Sequence, residues 1–103
     1  MQEKSSMAKY VGLDQDRHGM TPLGRTVLDA RVFGLIPETQ DCANWDAGQM
    51  QALMSKVDQL WDQYGNVPSA LPPELADRHK RVYAEAIARA RARGWDAELD
   101  DND

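Results

Sequence analysis

Cysteine and histidine are the side chains that most often serve as nucleophile and base in enzymes, and this chain has few of them. It contains one cysteine, Cys42, and two histidines, His18 and His79. Cys42 precedes a predicted helix start at Asp46, where the positive end of the helix dipole favours a thiolate. A free cysteine in a loop is more often a small, half-buried residue, so we expect no catalytic residue. A thiol-dependent carrier or redox protein that works through Cys42 stays the alternative.

Metal and cofactor sites have characteristic spacings that this sequence lacks. It has neither the paired Cys-x-x-Cys or His-x-x-x-His spacing of zinc sites nor a glycine-rich phosphate loop. Asp58 and Asp62 stand about one helical turn apart, a geometry that can hold a cation but is more often a solvated face. We therefore predict no metal and no cofactor.

Basic residues are concentrated toward the C-terminus. Residues 71–93 carry six basic and three acidic side chains, whereas residues 96–103 carry five acidic and none basic. At about 100° per residue, four of the arginines are predicted to share a broad side of a helix, opposite or oblique to its apolar face. These are Arg78, Arg81, Arg89 and Arg93. We expect an acidic partner protein to bind on this side, with Trp95 as a further anchor at its end.

Two other interpretations apply to the same arginines. Arginine is a good helix former and suits the C-terminal end of the helix dipole, so such a run is often only solvated surface. Nucleic-acid binding through this helix is a weaker alternative, because the net charge is −5 and no second basic element accompanies the helix. The acidic tail could also fold back onto the arginines and mask them.

Composition places the chain among single-domain globular proteins. It has 103 residues, 42% hydrophobic and 28% charged, with too few cysteines for an intramolecular disulfide. No apolar run approaches the roughly 20 residues that span a bilayer, and the N-terminus lacks the apolar core of a secretory signal. We expect a cytoplasmic protein that does not bind membranes.

Hydrophobic periodicity predicts an all-α fold: a small three-helix bundle-like module with an N-terminal arm and a short acidic C-terminal tail. The predicted segments are an arm over 1–20, partly ordered or flexible, a helical domain over 21–95 and a tail over 96–103. The helices are expected over about 21–35, 46–64 and 73–93.

Local signals support these boundaries. Thr21 and Pro22 form a helix start, and Asp46 with Gln49 matches a capping box. Gly65 and Gly94 are predicted to end the second and third helices, and Pro37 to close the first.

Side-chain patterns also predict how the helices pack. The second and third helices are expected to turn their apolar sides toward each other, with Trp61 and Val82 away from solvent. Asp29 is expected on the solvent side of the first helix, paired with Arg25. Because the module is small, a homodimer that buries more apolar surface is a further expectation.

The segment Leu28-Asp29-Ala30-Arg31-Val32-Phe33-Gly34-Leu35 resembles the helical stretch of nitrile hydratase β-type accessory subunits. It covers less than a tenth of the chain and carries over neither a function nor a site residue. The residues themselves predict a small interaction or accessory protein without catalysis of its own.

Overall fold

The structure, a computed structural model, describes residues 9–95. This part of the chain contains three α-helices and one short 3-10 helix, with no β-strand, which confirms the predicted all-helical fold. The first helix, α1, spans Pro22–Val32, α2 spans Ala47–Gln63 and α3 spans Pro73–Ala92. The 3-10 helix Pro68–Ala70 lies in the linker between α2 and α3. The predicted acidic tail over 96–103 lies outside the described residues.

Local capping explains where the helices begin. The Thr21 side chain accepts a hydrogen bond from the Gly24 amide, and Pro22 occupies the first helical position. Asp46 and Gln49 form the predicted capping box, with distances of 2.8 and 3.0 Å between each side-chain oxygen and the other residue's amide nitrogen. Both predicted starts are confirmed.

All three helices end in a Schellman motif around a glycine with positive φ. In α1 the amide of Gly34 donates to Arg31 and that of Leu35 to Ala30, the two bonds that define the motif. Gly65 and Gly94 end α2 and α3 in the same way. The predicted end of the first helix at residue 35 is therefore corrected to Val32, because Gly34 reverses the backbone before Pro37 does.

The described part of the predicted arm, residues 9–20, packs against the helical core. Tyr10 and Leu13 are buried, and their amides donate to the carbonyl oxygens of Trp45 and Asp41, both at 2.9 Å. The Asn44 amide donates in return to the carbonyl of Tyr10 at 2.8 Å. Residues 10–13 thus pair along the loop that precedes α2, and their backbone groups find partners in it.

The central element of the core is α1. Its residues Val27, Leu28, Ala30 and Val32 are fully buried. It packs against both α2 and α3, whereas the backbones of α2 and α3 hardly approach each other. The expected face-to-face packing of the second and third helices is therefore wrong, because α1 supplies the apolar surface that each of them covers. None of the helices within residues 9–95 is long and apolar enough to cross a membrane.

Candidate functional site

Two arginines of α3 and the one at its C-cap reach toward other elements; they are Arg78, Arg81 and Arg93. Arg78 is half-buried, and its Nη1 donates to the carbonyl oxygen of Val32, in the last turn of α1, at 3.0 Å. That carbonyl is one of those a helix end leaves without an intrahelical partner. Arg78 therefore caps α1 from α3.

Arg81 forms an ion pair with Glu38 in the loop after α1. Its two Nη atoms each donate to one carboxylate oxygen at 2.9 Å, the bidentate geometry that arginine favours. The hydrogen bond from Arg81 lowers the pKa of Glu38 and raises the pKa of the guanidinium. Both side chains are exposed, by 50% and 44%, so the pair adds little stability. It is the one ion pair found within residues 9–95.

Arg93 connects the end of α3 to the N-terminal segment. Its Nη2 donates to the carbonyl oxygen of Asp14 at 2.6 Å, and its Nη1 lies 3.4 Å from the carbonyl oxygen of Asp16. In the same manner, Arg31 of α1 donates to the carbonyl oxygen of Gln40 from Nε at 2.9 Å and from Nη2 at 2.6 Å. Both guanidinium groups are thus held by backbone oxygens.

Arg89 is exposed and lies close enough to Arg31 for their charges to interact. Burial lowers the pKa of Arg31, and the positive charge of Arg89 lowers it further. The positive charges of Arg78 and Arg31 also lower the pKa of Glu38. We refer to the group as the arginine edge; it consists of Arg31, Arg78, Arg81, Arg89 and Arg93.

Trp95, the predicted anchor, folds back over the last turn of α3. It is half-buried and packs against the core, and its ring centroid lies 5.9 Å from that of His18. Its indole Nε1 is buried and has no hydrogen-bond partner among residues 9–95. Trp95 therefore covers the core in this structure and is only partly accessible to a partner.

Cys42 is fully buried in the loop before α2, with a left-handed φ of 63°. Burial raises the pKa of its thiol to about 11, with Arg31 lowering it less. At pH 7 about one thiol in ten thousand would then be ionised. Desolvation raises the thiol pKa by more than the predicted effect of the helix dipole would lower it. This environment favours a packing role for Cys42 over a nucleophilic one.

A second group of polar side chains surrounds Asp29 of α1. Its Oδ1 accepts from the Tyr83 hydroxyl of α3 at 2.6 Å, and its Oδ2 accepts from Trp61 Nε1 of α2 at 3.2 Å. The His79 ring stacks on Tyr83 with centroids 4.7 Å apart and meets the edge of Trp61 at 5.9 Å. We call Asp29, Trp61, His79 and Tyr83 the Asp29 cluster. It joins α2 and α3, which otherwise hardly meet.

Burial raises the pKa of Asp29 above its usual range. The hydrogen bonds from Tyr83 and Trp61 lower it, as do the charges of His79 and Arg25, but burial outweighs them. The predicted exposed pair of Asp29 with Arg25 is corrected accordingly: Asp29 is half-buried, and its hydrogen-bond donors come from the other two helices.

Comparison with protein-family models, curated proteins and solved structures found no match.

Sequence reasoning missed the Asp29 cluster. The spacing of Trp61 predicts an apolar stripe, but Asp29 stands between arginines on its own helix, a pattern typical of a solvated face. Nothing in the sequence indicates that the hydroxyl of Tyr83, 54 positions away, and the indole of Trp61, 32 positions away, meet this carboxylate. Arg25 lies one helical turn from Asp29 and offers it a local partner of opposite charge. Sequence patterns favour such local pairs over partners from distant segments.

No group of three or more candidate metal ligands occurs within residues 9–95. His18, Cys42 and His79 lie apart: His18 contacts Trp95, Cys42 is in the loop before α2, and His79 belongs to the Asp29 cluster.

Proposed function

We propose that this protein is a small cytoplasmic interaction or accessory protein that binds an acidic protein surface through the arginine edge. The proposal requires no chemistry from the chain itself. Its supporting observation is that the internal hydrogen bonds of Arg31, Arg78 and Arg93 go to backbone carbonyl oxygens.

A carbonyl oxygen holds a guanidinium in place without cancelling its charge. Within the described residues only Arg81 of the arginine edge forms an ion pair with a carboxylate, and the charges of Asp14 and Asp41 act on Arg31 without an ion-pair contact. The guanidinium groups of Arg31, Arg78 and Arg93 are positioned before any partner arrives, so binding costs less side-chain entropy there than it does for flexible lysines. The edge is therefore a fixed positive surface on a chain whose net charge is −5.

Arg89 is the best single residue on which to test the proposal. It is exposed, it lies beside Arg31, and no hydrogen bond to another residue within 9–95 holds its side chain. A carboxylate placed between Arg89 and Arg31 would relieve the repulsion between the two cations. Arg91 is a matched control because it is exposed on the same helix but points away from the buried residues Ala86 and Ala90.

The test measures binding of a fluorescent oligoglutamate peptide to the full-length protein by anisotropy. We expect R89E to weaken binding by at least about fivefold, the loss of roughly 1 kcal/mol that one charge-assisted contact contributes. R91E should change the affinity by less than about twofold, within the scatter of surface charge effects.

Equal weakening by R89E and R91E would indicate only a nonspecific attraction and would contradict the proposal, as would the absence of binding near 50 mM salt. A single-stranded oligonucleotide serves as the second ligand. If it binds more tightly than the peptide and with a steeper dependence on salt, the nucleic-acid alternative replaces the proposal.

A homodimer stays a prediction that sedimentation of the same samples can check.

A further inference from the structure

One carboxylate receives hydrogen bonds from both outer helices, beside the direct ring contact of Trp61 with His79. Trp61 of α2 and Tyr83 of α3 both donate to Asp29 of α1, while the backbones of the two outer helices hardly approach each other. Protonation of this carboxylate therefore changes a hydrogen bond to each of the two outer helices.

The two donors respond differently to a proton on Asp29. Tyr83 has a hydroxyl that can both donate and accept, and it also lies 3.5 Å from the carbonyl oxygen of Arg25. When Asp29 becomes a carboxylic acid, Tyr83 can accept from the new O–H and turn its own proton toward that carbonyl. Trp61 has only an N–H donor, so it keeps at most a weaker bond to a neutral oxygen.

We propose that Asp29 is a proton-dependent contact that holds Trp61, and with it α2, when ionised and loosens it when protonated, while Tyr83 keeps α3 in place. Protonation of Asp29 in mild acid would then change the position of α2 without unfolding the protein. It is independent of the arginine edge.

The surroundings of Asp29 determine the direction of the effect. The charged or titratable groups that face it are Arg25 on its own helix, Asp58 on α2 across the same cleft, and His79 and Tyr83 on α3. Burial raises the pKa of Asp29, so protonation begins at a higher pH in the folded chain than in the unfolded one. Folded protein binds this proton more tightly, and acid therefore does not destabilise the fold through Asp29.

The experiment follows the indole N–H resonances of the three tryptophans by NMR between about pH 7 and pH 4, with the full-length protein. We expect the Trp61 resonance to shift with a midpoint above the ordinary aspartate value of about 3.9. Its exchange with solvent should accelerate by about tenfold relative to the indoles of Trp45 and Trp95, as expected when a charge-assisted bond weakens. Helical circular dichroism should stay constant over this range.

Three variants identify the titrating group. D29N should abolish the Trp61 transition, and H79Q should preserve it. Y83F should move the midpoint to higher pH, because the Tyr83 hydroxyl favours the ionised carboxylate. The proposal is overturned if the transition persists in D29N, disappears in H79Q, or is absent from the unmodified protein. If D29N does not fold, the direction of the shift in Y83F decides, and a midpoint that stays or falls contradicts the proposal.

Discussion

At the residue scale, the buried carboxylate of Asp16 organises the polar groups around the start of α1. Asp16 is 7% exposed and accepts hydrogen bonds from the hydroxyls of Tyr10, at 2.7 Å, and Thr21. Burial and the hydrogen bond to Asp16 raise the pKa of Tyr10. Thr21 in turn accepts from Gly24, so one carboxylate orients both the N-terminal segment and the cap of α1.

The thiol of Cys42 should react slowly with a disulfide reagent such as Ellman's reagent in the folded protein. Its pKa of about 11 means that the reactive thiolate is scarce at neutral pH, and its burial blocks access. We expect the rate to rise about tenfold for each pH unit between pH 7 and 10. In urea the same thiol should react at the rate of an ordinary cysteine, which is the control.

The same pKa shift has a defined sign for stability. The pKa of the folded thiol lies above its ordinary value of 9.0, so the folded state binds this proton more tightly. The contribution of Cys42 to the free energy of unfolding is complete below about pH 9 and is lost as the pH rises toward 11. A thiol that reacts rapidly at pH 7 would contradict both expectations and would revive the thiol-dependent alternative.

At the scale of the element, two helical glycines have opposite roles. Gly24 in α1 lies so close to the N-terminal segment that a β-carbon would overlap the carbonyl oxygen of Gly19. Gly48 in the first turn of α2 is exposed, and a β-carbon there would lie 3.4 Å from the nearest atom, Oδ1 of Asp46. The close approach at Gly24 lets residues 9–20 pack against the start of α1.

The same substitution should therefore have opposite effects in the two helices. G48A should be neutral or stabilising by up to about 1 kcal/mol, because alanine loses less conformational entropy than glycine in a helix. G24A should destabilise the protein by about 1 to 3 kcal/mol, the usual cost of overpacking, despite the same gain in helix propensity. Urea denaturation of both variants measures the difference. Stabilisation of G24A would mean that the N-terminal segment is not packed against α1.

At the scale of the whole molecule, the arrangement centres on α1. Its buried side chains face α2 on one side and α3 on the other, and the N-terminal segment covers part of its start. Side chains of the two outer helices donate hydrogen bonds back to α1, Arg78 to the carbonyl oxygen of Val32 and Trp61 to the carboxylate of Asp29. Loss of packing in α1 should affect every contact between helices.

L28A should reduce the free energy of unfolding by about 3 kcal/mol, within the range for a fully buried leucine. L60A is the matched control in α2, where the leucine is only half-buried, and it should cost about 1 kcal/mol because less apolar surface is lost. Both values come from urea denaturation curves. A cost for L60A that equals or exceeds the cost for L28A would show that α1 is not the centre of the core.

The starts and ends of the helices could be predicted from the sequence by itself. Thr21, Asp46 and the glycines at 65 and 94 act through hydrogen bonds to residues within one or two turns along the chain. Such bonds form whatever the rest of the molecule does, so their signals can be read locally. The number of helices and the all-helical class follow from the same local signals and from hydrophobic periodicity.

Only the tertiary structure decided which helix lies at the centre, because periodicity shows that a helix has an apolar side but not which neighbour covers it. The burial of Cys42, the carbonyl partners of Arg78 and Arg93, and the meeting of Asp29 with Tyr83 depend on residues far apart in the chain. Whether a polar side chain is solvated or buried is determined by that approach of distant segments, since desolvation depends on everything that surrounds the group.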